Sequence, residues 1–129
     1  MEYKKDNLKI LIVDDSEIDL NILESILMQI GFHSIIKTTS AKEGLRLVSK
    51  HKPDLIISDI VMPDLTGGEF REILKENADT ENIPVIFVSS IISKIEEERY
   101  GGRLASGDLL IAKPYSRERI SEIIEIALT

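Results

Sequence analysis

The sequence predicts an α/β protein: a doubly wound, five-stranded parallel sheet with helices on both faces. Two observations lead to this prediction. Short apolar runs alternate with segments of helical period along the 129 residues, which is typical of repeated strand–helix units. The apolar runs contain almost no polar positions, which indicates strands that are buried on both faces, as in a parallel sheet.

A change of period marks the first strand and the first helix. The apolar run LKILIV (8–13) predicts a strand that stops at Asp14 and Asp15. Between residues 17 and 30 the apolar residues recur at three- and four-residue spacing, which predicts a helix. Gly31 follows directly, and glycine commonly ends a helix because it adopts the left-handed conformation there.

The next three elements continue the alternation. The segment HSIIKT (33–38) predicts a short strand. Ser40 begins a capping-box pattern, so we expect a helix from there through about Lys50. Pro53 breaks that helix, and the apolar residues that follow predict a third strand over 54–58.

The second half adds two more strands and three more helices. The predicted elements are, in order, a helix opened by Gly67 or Gly68, the strand 85–89, a charged helix over about 94–103 that ends near Gly101, the strand 108–112, and a last helix capped by Ser116. No internal repeat, linker or low-complexity tract interrupts them. We therefore expect one domain over residues 1–129, with residues 1–7 as a flexible N-terminal lead.

The composition excludes several classes of protein. Hydrophobic residues make up 43% of the chain and charged residues 30%, which is typical of a globular protein. The net charge of −7 argues against non-specific binding of DNA or RNA, which needs a basic face. Cysteine is absent, which excludes disulfides and thiolate metal sites. Since no apolar run is long enough to span a bilayer, we expect a cytoplasmic protein with no membrane partner.

Polar side chains collect where the predicted strands end. The residues at those positions are Asp14 and Asp15 after the first strand, Asp59 after the third, Ser89 and Ser90 after the fourth, and Lys113 after the fifth. Ligands of an open parallel sheet gather beyond the carboxyl ends of its strands. We therefore expect these side chains to form one site.

The residue types predict the chemistry of that site. Two carboxylates about 4 Å apart repel each other by roughly 1 kcal/mol in water and by roughly 4 kcal/mol at an effective dielectric of 20. A hard dication among the oxygens offsets this repulsion, and Mg²⁺ fits because it prefers oxygen ligands. A lysine and a hydroxyl suit the oxygens of a phosphoryl group. Together they predict a phosphoryl-transfer site with a carboxylate nucleophile.

The order of these motifs resembles the receiver domain of two-component response regulators. The matching motifs are Asp-Asp after the first strand, the Asp-x-x-Met-Pro motif that begins at Asp59, Ser89 after the fourth strand, and Lys113-Pro114 after the fifth. The resemblance covers residues 9–128. It implies a flavodoxin-like sheet with strand order 2-1-3-4-5 and a signalling module, not a metabolic enzyme, that still catalyses its own phosphorylation and dephosphorylation.

The resemblance also implies a role for each site residue. Asp59 would accept a phosphoryl group from a phosphohistidine on a sensor histidine kinase or a phosphotransfer protein. Ser89 and Lys113 would contact the phosphoryl oxygens, and the peptide bond between Lys113 and Pro114 would be cis. The implied ligands of Mg²⁺, or of Mn²⁺ as a substitute, are Asp14, Asp15, Asp59 and the backbone carbonyl of Val61.

In the receiver family, three further positions affect the conformational switch and the lifetime of the phosphorylated state. Many receivers carry an aromatic switch residue three positions before the lysine, where this chain has Leu110. Val61 and Ile91 stand two positions beyond the predicted acceptor and the predicted hydroxyl, where relatives tune the lifetime of the phosphoryl group. Because both are apolar, we hypothesise a long-lived aspartyl phosphate. A homodimer through the fourth helix, fifth strand and fifth helix is a further expectation.

Several alternatives are weighed against this interpretation. Asp14 and Asp15 could simply cap the first helix and have no further role. Ser90 competes with Ser89 for the role of the hydroxyl donor, and the position relative to Asp59 favours Ser89. A haloacid-dehalogenase-type phosphatase needs a second aspartate two residues after Asp59, where Val61 stands. A nucleotide or flavin binder needs a glycine-rich phosphate loop, which is missing after the first strand. A degenerate receiver that only binds proteins is disfavoured by the intact acidic set.

Overall fold

The computed structural model describes residues 5–99, 101–104 and 107–129. The strands in this part of the chain are β1 (Lys9–Val13), β2 (Ser34–Thr38), β3 (Leu55–Asp59), β4 (Val85–Ser89) and β5 (Leu109–Ala112). The helices are α1 (Glu17–Ile30), α2 (Ala41–His51), α3 (Gly67–Lys75), α4 (Lys94–Arg99) and α5 (Arg117–Leu128). None of the described helices is both long and apolar enough to cross a membrane.

The strands form one parallel sheet in the order β2-β1-β3-β4-β5, which confirms the predicted fold class and strand order. The register aligns the ends of neighbouring strands: Val13 pairs with Ser58, and Ser89 pairs with Ala112. Since Asp14, Asp59, Ser89 and Lys113 each end or directly follow one of these strands, this register brings the four residues to one edge. The strand order reverses between β1 and β3, which is the place where ligands of open parallel sheets generally bind.

Apolar side chains fill both faces of the sheet. On one face, alternate strand residues such as Ile12 and Ile57 pack with residues of α1 and α5, including Leu23 and Ile123. On the other face, the intervening strand residues pack with residues of α2 and α3, for example Phe70. Because β1, β3, β4 and β5 are buried on both sides, their sequences are nearly unbroken apolar runs, whereas the edge strand β2 is only partly buried.

The helix α4 is shorter than the predicted span of 94–103. The backbone N–H of Gly101 donates to the carbonyl of Glu98, and the N–H of Gly102 donates to the carbonyl of Glu97. Both glycines have positive φ, 66° and 71°, which ends the helix in a left-handed turn. The chain then runs back along β5, where the N–H of Leu110 donates to the carbonyl of Gly102.

The predicted N-terminal lead lies only partly within the described residues. Residues 1–4 are outside them. Lys5–Asn7 forms a short 3-10 helix. The ammonium of Lys5 donates a hydrogen bond to the carbonyl of Ile30 at 3.2 Å, so this part of the lead contacts the end of α1.

Candidate functional site

The predicted site residues meet at the carboxyl edge of the sheet. Asp14 directly follows β1, and Asp59 is the last residue of β3. Ser89 is the last residue of β4, and Lys113 is the first residue after β5. Residues that are up to 99 positions apart in the chain are therefore within hydrogen-bonding distance, as Lys113 and Asp14 show.

Three carboxylates form a compact group at this edge. Asp14, Asp15 and Asp59 each offer one carboxylate oxygen, and these oxygens lie within 4.8 Å of one another. Asp14 and Asp59 are buried, whereas Asp15 is exposed. A set of hard oxygen donors with one open side fits Mg²⁺, which keeps several of its waters when it binds to proteins.

The turn after β3 is fixed by Asp59 itself. Its Oδ1 accepts a hydrogen bond from the backbone N–H of Val61 at 3.2 Å. Ser58 donates from its hydroxyl to the carbonyl of Asp59 at 3.0 Å. These bonds hold the loop that contains Val61, the predicted source of a carbonyl ligand, next to the carboxylate.

The ammonium of Lys113 contacts three carboxylates. Its Nζ donates to Asp14 Oδ2 at 2.6 Å, to Asp19 Oδ2 at 2.9 Å and to Asp59 Oδ2 at 3.3 Å. Burial alone would lower the pKa of Lys113, but the hydrogen bonds to Asp14 and Asp19 and the attraction to the acids raise it above its usual range. The lysine is therefore charged at physiological pH and offsets part of the acidic charge.

Burial and the neighbouring charges act in opposite directions on the pKa of the Asp59 carboxyl group. Its burial raises its pKa, the charge of Lys113 lowers it, and the negative charge of Asp14 raises it, with a net rise above the ordinary value of 3.8. A cation placed among the three acids would favour the ionised, nucleophilic form. This is the electrostatic role that a metal ion would have here.

The two serines at the end of β4 differ in their surroundings. Ser89 is 1% exposed, and its Oγ accepts a hydrogen bond from the N–H of Ile91 at 3.1 Å. Its carbonyl accepts from the backbone N–H of Lys113 at 2.8 Å. Ser90 is exposed. Ser89 is thus built into the strand end beside the lysine, as its position in the sequence predicts.

The predicted switch and tuning residues differ in exposure. Leu110, at the usual aromatic position, is fully buried and belongs to the core on the α2 and α3 face. Val61 is 52% exposed and Ile91 is 71% exposed. The Lys113–Pro114 peptide bond is cis, as predicted.

Asp19 is a site residue that sequence reasoning missed. It lies in the first turn of α1 and binds Lys113 across 94 residues of sequence. An acidic residue in the first turn of a helix is ordinarily explained by the helix dipole. One feature of the sequence could have revealed Asp19 as a site residue. It lies one helical turn beyond Asp14 and Asp15, in the helix that begins at the carboxyl edge of the sheet.

Asp64 has a structural role that was also missed. Its carboxylate accepts hydrogen bonds from Ser40 Oγ at 2.9 Å, from the N–H of Lys42 at 3.0 Å and from the N–H of Ala41 at 3.3 Å. The bond from Lys42 contributes most to lowering the pKa of Asp64 to about 2. Asp64 therefore ties the loop after Asp59 to the beginning of α2.

Comparison with known proteins agrees with this arrangement. Residues 10–125 match the family model described as the response regulator receiver domain. The polar-differentiation response regulator DivK of Brucella ovis is 34% identical over 116 residues, which cover 90% of this chain and 92% of that protein.

Solved structures agree with the same assignment. A response regulator from Desulfuromonas acetoxidans is 34% identical, with a TM-score of 0.78 and coverage of 94% of this chain and 96% of that chain. The chemotaxis protein CheY4 of Vibrio cholerae, at 24% identity, a TM-score of 0.78 and coverage of 94% and 98%, shares the fold. The chain belongs to the response regulator receiver domain family of two-component signalling.

Proposed function

We propose that Asp59 is the phosphoacceptor of this receiver domain and takes its phosphoryl group from a phosphohistidine on a sensor histidine kinase or a phosphotransfer protein. The observation that carries the proposal is the environment of its carboxylate. One oxygen contacts Lys113 and the other accepts the N–H of Val61, so the group is oriented at the open edge of the sheet. We propose that the protein acts in the cytoplasm.

The transfer needs only one nucleophile. A carboxylate oxygen of Asp59 forms a bond to phosphorus while the P–N bond to the donor histidine breaks, and the electron pair stays on the imidazole nitrogen. The product is an acyl phosphate on Asp59. Lys113 neutralises charge on the phosphoryl oxygens, and the Ser89 hydroxyl donates a hydrogen bond to one of them. Hydrolysis reverses the modification: water attacks phosphorus, the bond to Asp59 breaks, and inorganic phosphate leaves.

The acidic group would bind the metal that receivers of this family generally use. Asp14, Asp15, Asp59 and the carbonyl of Val61 would hold Mg²⁺, or Mn²⁺ in its place. When bound, the dication supplies positive charge beside the phosphoryl oxygens. Asp14 is oriented for this role because its Oδ1 accepts the N–H of Ser16 at 2.9 Å while Oδ2 contacts Lys113.

Phosphorylation would change the partner-binding surface without an aromatic switch residue. Since Leu110 is fully buried, we expect it to change its packing and not to move between buried and exposed positions. Partner binding through α4, β5 and α5, including formation of a homodimer, is the proposed output. A crystal structure with Mg²⁺ and beryllofluoride would show whether Ser89 and Leu110 move.

Labelling with acetyl phosphate tests the central assignment. Wild-type protein should become phosphorylated when Mg²⁺ is present, and Asp59→Asn should not, as measured by intact mass spectrometry. Asp79→Asn removes an exposed aspartate beyond α3 and serves as the matched control. EDTA should abolish labelling of the wild type. Equal labelling of wild type and Asp59→Asn would overturn the assignment.

A further inference from the structure

Asp19 brings a fourth carboxylate to the site. Its backbone N–H donates to Ser16 Oγ, which caps α1 and fixes the first turn of this helix. From that turn, Asp19 Oδ2 reaches Lys113 Nζ at 2.9 Å. Asp19 is not a member of the close carboxylate group of Asp14, Asp15 and Asp59. Its contact with the site is therefore made through the lysine.

The donors of Lys113 are fully used in this state. A lysine ammonium has three N–H donors, and those of Lys113 contact Asp14, Asp19 and Asp59. A phosphoryl group on Asp59 requires a donor from the same ammonium. The contact with Asp59 can pass to one phosphoryl oxygen, but a second phosphoryl oxygen gains a donor only when the contact with Asp14 or Asp19 is weakened or broken.

The surroundings indicate which contact is released. The side chain of Asp14 is 5% exposed and would lose its partner inside the protein, which is costly. The side chain of Asp19 is 37% exposed, so water can replace Lys113 at low cost. Asp59 carries the phosphoryl group itself and stays close to the lysine. Of the three contacts, the one with Asp19 can therefore be released at the lowest cost in free energy.

Charge acts in the same direction. The phosphoryl group brings additional negative charge to an edge that already has three other carboxylates. A bound metal would offset the charges of Asp14 and Asp15, whereas Asp19 is not among the residues that would hold it. Asp19 therefore disfavours the phosphorylated state both by holding the lysine and by repelling the phosphoryl oxygens.

We propose that Asp19 is a positioning residue that competes with the phosphoryl group for Lys113. It holds the ammonium while Asp59 is free, releases it on phosphorylation and takes it back after hydrolysis. In this way Asp19 sets the balance between the two states. The inference rests on the proposed phosphoacceptor function of Asp59.

Equilibrium binding of beryllofluoride, a phosphoryl mimic, tests the competition without a chemical step. Affinities would be measured by calorimetry at saturating Mg²⁺ for the wild type and for the neutral variants Asp19→Asn and Asp19→Ser. Both variants should bind about two- to fivefold more tightly, the effect of one partly exposed ion pair. A merely structural role would predict weaker binding. Glu17→Gln removes an exposed carboxylate from the same turn of α1 and should bind like the wild type.

The outcomes separate this inference from the proposed function. Wild-type affinity in Asp19→Glu, together with tighter binding in both neutral variants, supports the competition. Unchanged or weaker binding in both neutral variants, with wild-type binding that still depends on Asp59, overturns the role of Asp19 alone. If the wild type does not bind beryllofluoride with Mg²⁺, the proposed phosphoacceptor function fails and the inference fails with it.

Discussion

The carboxylate of Glu97 on α4 accepts a hydrogen bond from the backbone N–H of Ala112 in β5 at 2.7 Å. Glu97 is only 8% exposed, and its second oxygen lies 3.5 Å from the guanidinium of Arg119 on α5. Because β5 is at the edge of the sheet, no other strand among the described residues satisfies this N–H. One side chain thus joins α4, α5 and the strand that ends next to Lys113.

Replacing Glu97 should destabilise the fold. Glu97→Ala leaves the N–H of Ala112 without its partner, which should lower the free energy of unfolding by about 1–3 kcal/mol. Glu97→Gln keeps an acceptor for this N–H and loses only the ion pair with Arg119. Its free energy of unfolding should therefore fall by less than that of Glu97→Ala. Urea unfolding followed by circular dichroism measures both. Glu98→Ala, at an exposed neighbour, is the control, and an equal loss there would contradict the prediction.

The two glycines that begin α3 should respond in opposite ways to alanine. A Cβ at Gly67 would lie 2.9 Å from the Phe87 ring and 3.0 Å from the Cα of Ile60, whereas the nearest atom to a Cβ at Gly68 is 3.8 Å away. Gly67→Ala should cost about 1–3 kcal/mol through overpacking. Gly68→Ala should be neutral or stabilising by up to about 1 kcal/mol, since alanine favours helix. Thermal unfolding distinguishes the two, and equal effects would contradict this packing.

Asp15 should matter for metal binding and little for folding. It is the exposed member of the acidic group, so Asp15→Asn removes like-charge repulsion without leaving a buried gap. We expect Mg²⁺ affinity to fall by at least about tenfold, roughly 1.4 kcal/mol. The rise in melting temperature on adding Mg²⁺ should shrink accordingly. Glu17→Gln is the control, and an undiminished Mg²⁺ response in Asp15→Asn would remove Asp15 from the ligand set.

Asp64 should contribute stability that depends on pH. Its pKa in the folded chain is about 2, below the ordinary 3.8, so the unfolded chain binds the proton more tightly. The contribution is therefore complete above about pH 4 and is lost as pH falls through about 2. Asp64→Ala should cost about 1–2 kcal/mol at pH 7.

The pH profile supplies the check on Asp64. The difference in unfolding free energy between wild type and Asp64→Ala should narrow as the pH is lowered from 4 to 2. Urea unfolding at a series of pH values measures it. Asp79→Ala, at an exposed aspartate, should show no comparable narrowing. A constant difference across this range would mean that the charge of Asp64 is not what stabilises α2.

The apolar residues beside the acceptor should lengthen the life of the aspartyl phosphate. Val61→Asn places a polar side chain two residues beyond Asp59 and should speed hydrolysis by about tenfold, roughly 1.4 kcal/mol in the barrier. Decay of the phosphorylated species is followed by intact mass spectrometry. Ile73→Asn changes an exposed isoleucine on α3 and should leave the rate unaltered. An equal or slower decay in Val61→Asn would refute the shielding role.

Local patterns were sufficient for most of the architecture. The predicted helix over 17–30 matches α1, and Gly31 ends it with a φ of 120°. The carboxylates, Ser89 and Lys113 could be placed at one edge because parallel strands bring their carboxyl ends together. Periodicity did not show which apolar residues are buried: Ile18 and Ile22 fit the helical spacing but are 72% and 51% exposed.

The sequence by itself determined the strands, the helices apart from the end of α4, and the positions of the acids, lysine and serine at the strand ends. These features depend on backbone preferences and on burial that repeats with a local period. Only the tertiary structure decided that Asp19 binds Lys113, that Asp64 accepts hydrogen bonds from the first turn of α2, and that Glu97 binds the outer N–H of Ala112 in β5. Each of these contacts joins residues distant in sequence. A hydrogen bond depends on separations of a few ångströms, which are set when the helices pack on the sheet.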